Sequence, residues 1–252
     1  VIDGERIALR AKVRELFTLS RQSAGSRSLV WMLAAEGYQA GRYKVRQLMR
    51  EAGLASKQPG QHRYRVPKSE RPDIPNLLDR QFQPEHMNQV WCGDITYIWT
   101  GARWAYLAVV LDLYARCVVG WAMSERPDAD LVCKALDQAW QQRGKPKGVL
   151  FHSDQGCQYG SRVFRQRLWR YQITQSMSRR GCCWDNAPME RLFRSLKTEW
   201  IPKLGYGSFE EANRDVGMYL MAYYNWQRPH STNSGTPPAI KEKQLNLLSE
   251  IC

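Results

Sequence analysis

Three acidic residues stand where acids are costly unless they do chemistry. Asp94 interrupts Val90–Trp99 (VWCGDITYIW), a strand-like run of mostly apolar and aromatic residues, and an acid there faces either the core or a cleft. Asp154 closes a short apolar run in VLFHSDQG, and Glu190 lies in DNAPMERLFRSLKTEW, a stretch of helical period. Carboxylates from two strands and an adjoining helix make a hard oxygen cage suited to Mg²⁺ or Mn²⁺. Two ions per site, about 3.5–4 Å apart, suit phosphodiester chemistry: one activates water or a DNA 3′-hydroxyl, the other stabilises the leaving 3′-oxygen. No side chain then needs to be the nucleophile, and none of His62, His86, His152 and His230 has a clear base partner. Asp154 and Glu190 are separated by 35 residues, a spacing that chance alone supplies roughly one time in ten. The surroundings of the acids carry the weight.

Other residues nearby have two readings each. His152 precedes Asp154 by two positions, so both share a strand face, and the imidazole either contacts nucleic acid or packs structurally. Arg194, one turn after Glu190, either touches phosphate or forms an intrahelical pair. The loop Ser178–Trp184 (SRRGCCW) combines Arg179, Arg180 and Trp184 with a flexible glycine. It suits gripping or stacking on DNA, unless Trp184 is tucked into the core. Asp185 and Asn186 read as helix caps, and Asp112, ending a strand, as a turn-former outside the acidic set.

The elements that must position these groups follow from periodicity. Val90–Trp99, Trp104–Leu111 and Cys117–Met123 read as strands joined by tight connections. A helix begins near Ala129, with Val132, Ala135, Leu136 and Ala139 on one face. A strand over Gly148–Phe151, a helix over 161–171 and a strand over Gln172–Ser176 come next. Two further helices span about 185–200 and 208–226. This order predicts an α/β fold, a mixed five-stranded sheet flanked by helices, of ribonuclease-H type.

Ahead of it, Ile7, Leu9, Val13, Leu16 and Phe17 mark one helix, Leu29–Ala34 a second, and Tyr43–Met49 a third. The last two, separated by a glycine-containing turn, fit a helix-turn-helix-like α module over 1–54, with Arg42, Lys44 and Arg46 facing DNA. Residues 55–87, with the basic, proline-rich stretch KQPGQHRYRVPKSERPDIP, read as a linker that either follows the DNA backbone or is an inert tether. Residues 88–252 form the catalytic core with a helical tail. The net charge is +13, of which residues 1–72 hold +9 (15 basic, 6 acidic), as expected for a module on phosphates. Seven scattered cysteines without a C-x-x-C pair argue against a zinc site or disulfide framework and for a reducing cytosol. No apolar run approaches a membrane span.

The segments WCGDITYIW, YLAVVLDLYARCVVGW, FHSDQGCQY, SMSRRGCCWDNAPMERLFRSLKTE and YNWQRPHSTNSGTPPAI resemble the second-reading-frame transposases of a large bacterial insertion-sequence family. These are DDE enzymes with a core similar to that of retroviral integrases. The resemblance covers about residues 88–240, more weakly the N-terminal helices. It implies that Asp94, Asp154 and Glu190 bind the metals, and that Lys197, two turns beyond Glu190, contacts DNA. It implies cleavage at element ends, a circular intermediate and insertion into target DNA, in the bacterial cytoplasm at the nucleoid. It also implies an assembly of at least two subunits on DNA, with help from an upstream-reading-frame protein, because no zipper-like segment occurs here. Two rival functions remain at this point: a metal-dependent nuclease or resolvase of the same fold, and a non-catalytic DNA-binding regulator.

Overall fold

The computed structural model describes residues 4–57 and 73–249. The first half of the expected linker, with His62, lies outside them.

Five strands form one mixed sheet: β1 (Val90–Trp99), β2 (Trp104–Asp112), β3 (Cys117–Ser124), β4 (Leu150–Ser153) and β5 (Thr174–Met177), in the order β3-β2-β1-β4-β5. β1 pairs antiparallel with β2 and parallel with β4, and so occupies the centre. Its alternation sorts side chains to two cores. Cys92 and Ile98 face one helical layer with Met189, Leu192, Leu196 and Tyr219. Trp91 and Ile95 face the other, with Val132, Leu136, Phe164 and Leu168. Helices α4 (Ala129–Gln142) and α5 (Arg162–Arg170) cover this second face. Helices α6 (Ala187–Ser195) and α7 (Phe209–Gly217) cover the first. Asp128 and Ser161 cap α4 and α5 by accepting from Leu131 N–H and Phe164 N–H.

Some element ends differ from the sequence reading. β5 starts at Thr174 because Gln172 adopts a left-handed φ of 57° and Ile173 N–H closes α5 on the Leu168 carbonyl. The helix expected over 185–200 enters through a 3₁₀ turn, Cys183–Asn186, and leaves through a π-helical turn, Leu196–Trp200. The helix expected over 208–226 likewise widens into a π segment, Met218–Tyr224.

The N-terminal helices α1 (Gly4–Leu19), α2 (Ser26–Ala35) and α3 (Arg42–Glu51) enclose their own core of Leu9, Val13, Phe17, Leu29, Leu33, Val45 and Leu48. Arg21 clasps this unit to the sheet domain: its guanidinium pairs with Asp215 at 2.6 Å and lies 3.7 Å from the Trp200 ring centroid. Residues 73–87 are no tether. Leu78 is buried in the α6-side core, and Leu77 and Leu78 N–H donate to Ser176 Oγ. No helix among the described residues is long and apolar enough to cross a membrane.

Gly93 couples fold to site. A Cβ there would fall 2.4 Å from Phe151 Cζ on the strand next door. Gly93→Ala is expected to destabilise the protein by about 1–3 kcal/mol, read as a lowered urea midpoint at unchanged slope.

Candidate active site

The parallel register of β1 and β4 pairs Gly93 with Ser153. Asp94 therefore stands one step further along β1 where β4 ends and Asp154 follows. Asp94 shares the strand face of Cys92 and Ile98, toward α6, whose first turn carries Glu190. Asn186, preceding α6, donates from Nδ2 to the Gly93 carbonyl at 3.3 Å, tying the helix entrance to the strand beside Asp94. Two backbone N–H groups orient the aspartates: Ile95 N–H donates to Asp94 Oδ1 at 2.7 Å, and Gly156 N–H to Asp154 Oδ1 at 2.9 Å.

Burial pushes the Asp94 carboxyl well above the usual carboxylate range, and the nearby charge of Asp154 pushes it further. Glu190 adds to the rise, while the Ile95 N–H and Lys197 oppose it. Lys197, on the π turn after α6, lies with Nζ 4.2 Å from the Tyr97 ring centroid. Its own pKa is lowered by burial, with Asp94 acting in the other direction. Asp94 thus feels Asp154 and Glu190 as like charges and Lys197 as a neighbouring cation.

No group of three His, Cys, Asp or Glu side chains among the described residues stands at metal-ligand spacing. Asp94, Asp154 and Glu190 are nonetheless the residues whose side chains could serve a cation. Their chemistry fits one: oxygen-only, anionic donors with one side chain held in a poorly screened position suit a hard divalent ion.

The surrounding residues divide. His152 is fully buried; Nδ1 meets Ser176 Oγ at 2.8 Å and Nε2 meets Ser178 Oγ at 3.2 Å. It locks β4 to β5, so the DNA-contact reading of His152 is corrected: neither ring nitrogen reaches the surface. Arg179 is also committed, its backbone N–H and Nε bonding Asp185 and its Nη2 pairing with Asp79 at 2.9 Å. Asp185 is no helix cap but a fully buried anchor that also takes Arg80 Nε and Asn76 Nδ2. These partners hold its carboxyl down at about 2 against the effect of burial. The sequence signal missed was its pairing with Arg80, more than a hundred residues earlier. Asn186 makes no cap bond either.

Arg180, Trp184 and Arg194 are exposed, Trp184 by 68 %, which excludes the tucked-in alternative for Trp184. Arg42, Lys44 and Arg46 are exposed on α3. Asp112 is fully buried and accepts from Asn88 and Tyr114 N–H, in keeping with a turn role. In the tail, Asn225 bonds both backbone groups of Val118, and Tyr223, Tyr224 and His230 are buried. That segment packs against the sheet domain.

Comparison with known proteins comes from three family models. An integrase core domain matches residues 84–183, a second integrase core domain 171–238, and an HTH-like domain 5–62. The chain is 56% identical over 151 residues to InsO of insertion sequence element IS911B from Escherichia coli (strain K12), covering 60% of this chain and 76% of that protein. It is 40% identical over 236 residues to the transposase InsF of insertion sequence IS3A from the same strain, covering 91% and 80%. A solved structure of the HTLV-2 integrase catalytic core domain is 19% identical, covers 62% of this chain and 96% of that one, and has a TM-score of 0.44.

Two measurements probe the site's electrostatics. Asp94→Asn removes a half-buried charge near two others, and is expected to raise the melting temperature in chelator, by about 2–4 °C per kcal/mol relieved. Burial lowers the His152 pKa from 6.5 to about 4. Below pH 6.5 the unfolded chain binds a proton that the folded chain refuses, so stability falls as pH drops toward 4. The full effect is about 3 kcal/mol. Urea titrations across that window are expected to lose close to one proton of linkage in His152→Gln.

Proposed function

The chain belongs to the IS3 family of insertion-sequence transposases, and from that premise we propose that Asp94, Asp154 and Glu190 are the catalytic acids of its DNA cleavage and strand-transfer site. The observation that carries this reading is geometric: the β1–β4 register sets Asp94 beside Asp154 at the end of β4, and Asn186 on the Gly93 carbonyl seats the first turn of α6, with Glu190, on the same strand face. Burial and the charges of Asp154 and Glu190 accordingly raise the Asp94 pKa. Only a cation or protons relieve such an arrangement.

Asp94, Asp154 and Glu190 would hold divalent ions, Mg²⁺ or Mn²⁺, two per site, which supply charge neutralisation and activation of the attacking oxygen. The protein's part is positioning. β1 and β4 fix the two aspartates side by side, the Gly156 N–H aims Asp154, and Asn186 seats the helix that brings Glu190. Lys197, next to Asp94, presents its ammonium to a phosphate adjoining the reacting bond. Arg180, Trp184 and Arg194 face solvent around α6 and grip flanking DNA by charge and stacking.

The module over 1–54 reads element-end DNA through Arg42, Lys44 and Arg46 on α3, and the unit over 88–252 performs the chemistry, with 55–87 connecting them. Exposure of these three side chains on a helix following a tight turn supports the groove reading. Element ends are joined through a circular intermediate before transfer to target DNA. Holding two ends requires at least two subunits, with the upstream-frame protein assisting, on the nucleoid in the bacterial cytoplasm.

The test is a joining assay with labelled element-end DNA and Mg²⁺. The parent protein is expected to nick and join, Asp154→Asn to lose both by on the order of 10³-fold or more, and Lys197→Ala to weaken both less severely. Nicking that never proceeds to joining would favour a nuclease; joining by Asp154→Asn would remove Asp154 from the site.

A further inference from the structure

A cavity of about 290 Å³ lies where α2, α6 and the tail segment 228–232 meet. Its α6 wall is made by positions 187, 188, 191, 192 and 195. At 100° per residue this stripe lies roughly opposite Glu190 and Lys197, so the cavity is separate from the acidic site. Ser28 and Trp31 of α2 form the far wall. Gly235 fixes that wall to the tail: its φ is +91°, and a Cβ there would fall 2.4 Å from the Trp31 ring.

The lining is cationic and contains no acidic side chain. Arg116 is nine-tenths buried, and its guanidinium bonds only the carbonyls of Leu113 and Phe82, with no ion pair among the described residues. Arg191 is exposed at the mouth, and it too forms no ion pair among the described residues. Arg228 is balanced by a two-pronged pair with Glu199 at 2.6 Å. His230 accepts the Thr232 N–H at Nδ1, which leaves its proton on Nε2 as a donor. The same three arginines, together with burial, hold that imidazole neutral, its pKa pushed down to about 3. Arg116 and Arg191, neither in an ion pair among the described residues, therefore face a small hollow whose lining holds no acid, beside hydroxyl and imidazole donors. Asp112 acts on Arg116 only from outside that lining.

We propose that this cavity binds a phosphate group. Arginines without ion-pair partners, beside hydroxyls, suit phosphate recognition. The volume sits at the small end of ligand pockets, about 300 Å³, and suits one phosphate with its waters. A DNA backbone phosphate is the favoured source, because the first helix of a helix-turn-helix crosses the backbone, and here that helix is α2. This DNA assignment rests on the function proposed above; free phosphate is the other source of the same chemistry.

The experiment uses the full chain in chelator, with a fluorescent element-end duplex titrated across a salt series. Inorganic phosphate is tested separately by thermal shift. Arg191→Gln removes a cavity charge, and Ser28→Phe fills the cavity while keeping every charge. Both variants are expected to weaken duplex binding about five-fold or more and to flatten the salt slope by about 0.9. Unchanged duplex binding, with phosphate raising the melting temperature of the parent but of neither variant, would identify the occupant as a free anion and uphold the site. Weakening by Arg191→Gln alone would place Arg191 on DNA outside the cavity and overturn the proposal, as would no response to either probe. Loss of joining in Asp154→Asn is read independently, so failure here leaves the catalytic reading standing.

Discussion

Placing the half-buried Asp94 carboxyl on the central strand, near Asp154 and Glu190, concentrates like charge where burial already opposes ionisation. Most features of the sheet domain serve to hold that arrangement. β1 is central, flanked on both sides by paired strands, so its backbone cannot retreat. Gly93 lets Phe151 lie close against it, and the Ile95 N–H fixes the carboxylate from its own backbone. Stability gained in the two apolar layers offsets the local cost, a pattern expected where function and folding pull apart.

The same constraint explains the long-range polar anchors. Asp185 is buried two residues before α6 begins; Arg80 and Asn76 converge on it from more than a hundred residues earlier, and Arg179 from the loop just before it. With Asn186 on the Gly93 carbonyl, they set the entrance of the helix that carries Glu190. His152 between two serines does the equivalent work for the end of β4, just before Asp154. His152 and Arg179, which in sequence look like DNA-binding groups, are here tied into these anchors.

How much was legible in the sequence follows from the range of each interaction. β1 was readable to its ends because a ten-residue run of β-prone residues is a local signal. Asp94 stood out in it because an acid at such a position needs a reason. The roles of His152, Arg179 and Asp185 were not legible, since each depends on partners that only the folded chain brings near. The π turns after α6 and α7 left no mark either, for their residues, LKTEW and MYLMAYY, keep an ordinary helical composition. The strap over 73–87 was read as linker together with the basic, proline-rich stretch over 57–75, whereas Leu78 and the Ser176 hydroxyl decide its course.

The most direct measurement of a shared carboxylate site is Mn²⁺ binding, followed by electron paramagnetic resonance, in the parent chain and in Asp94→Asn, Asp154→Asn and Glu190→Gln. If the three acids hold the ion together, each substitution weakens binding about ten-fold or more, as removal of a charged ligand should. Mn²⁺ affinity unchanged in all three variants, each still folded, would contradict a metal site built from these residues.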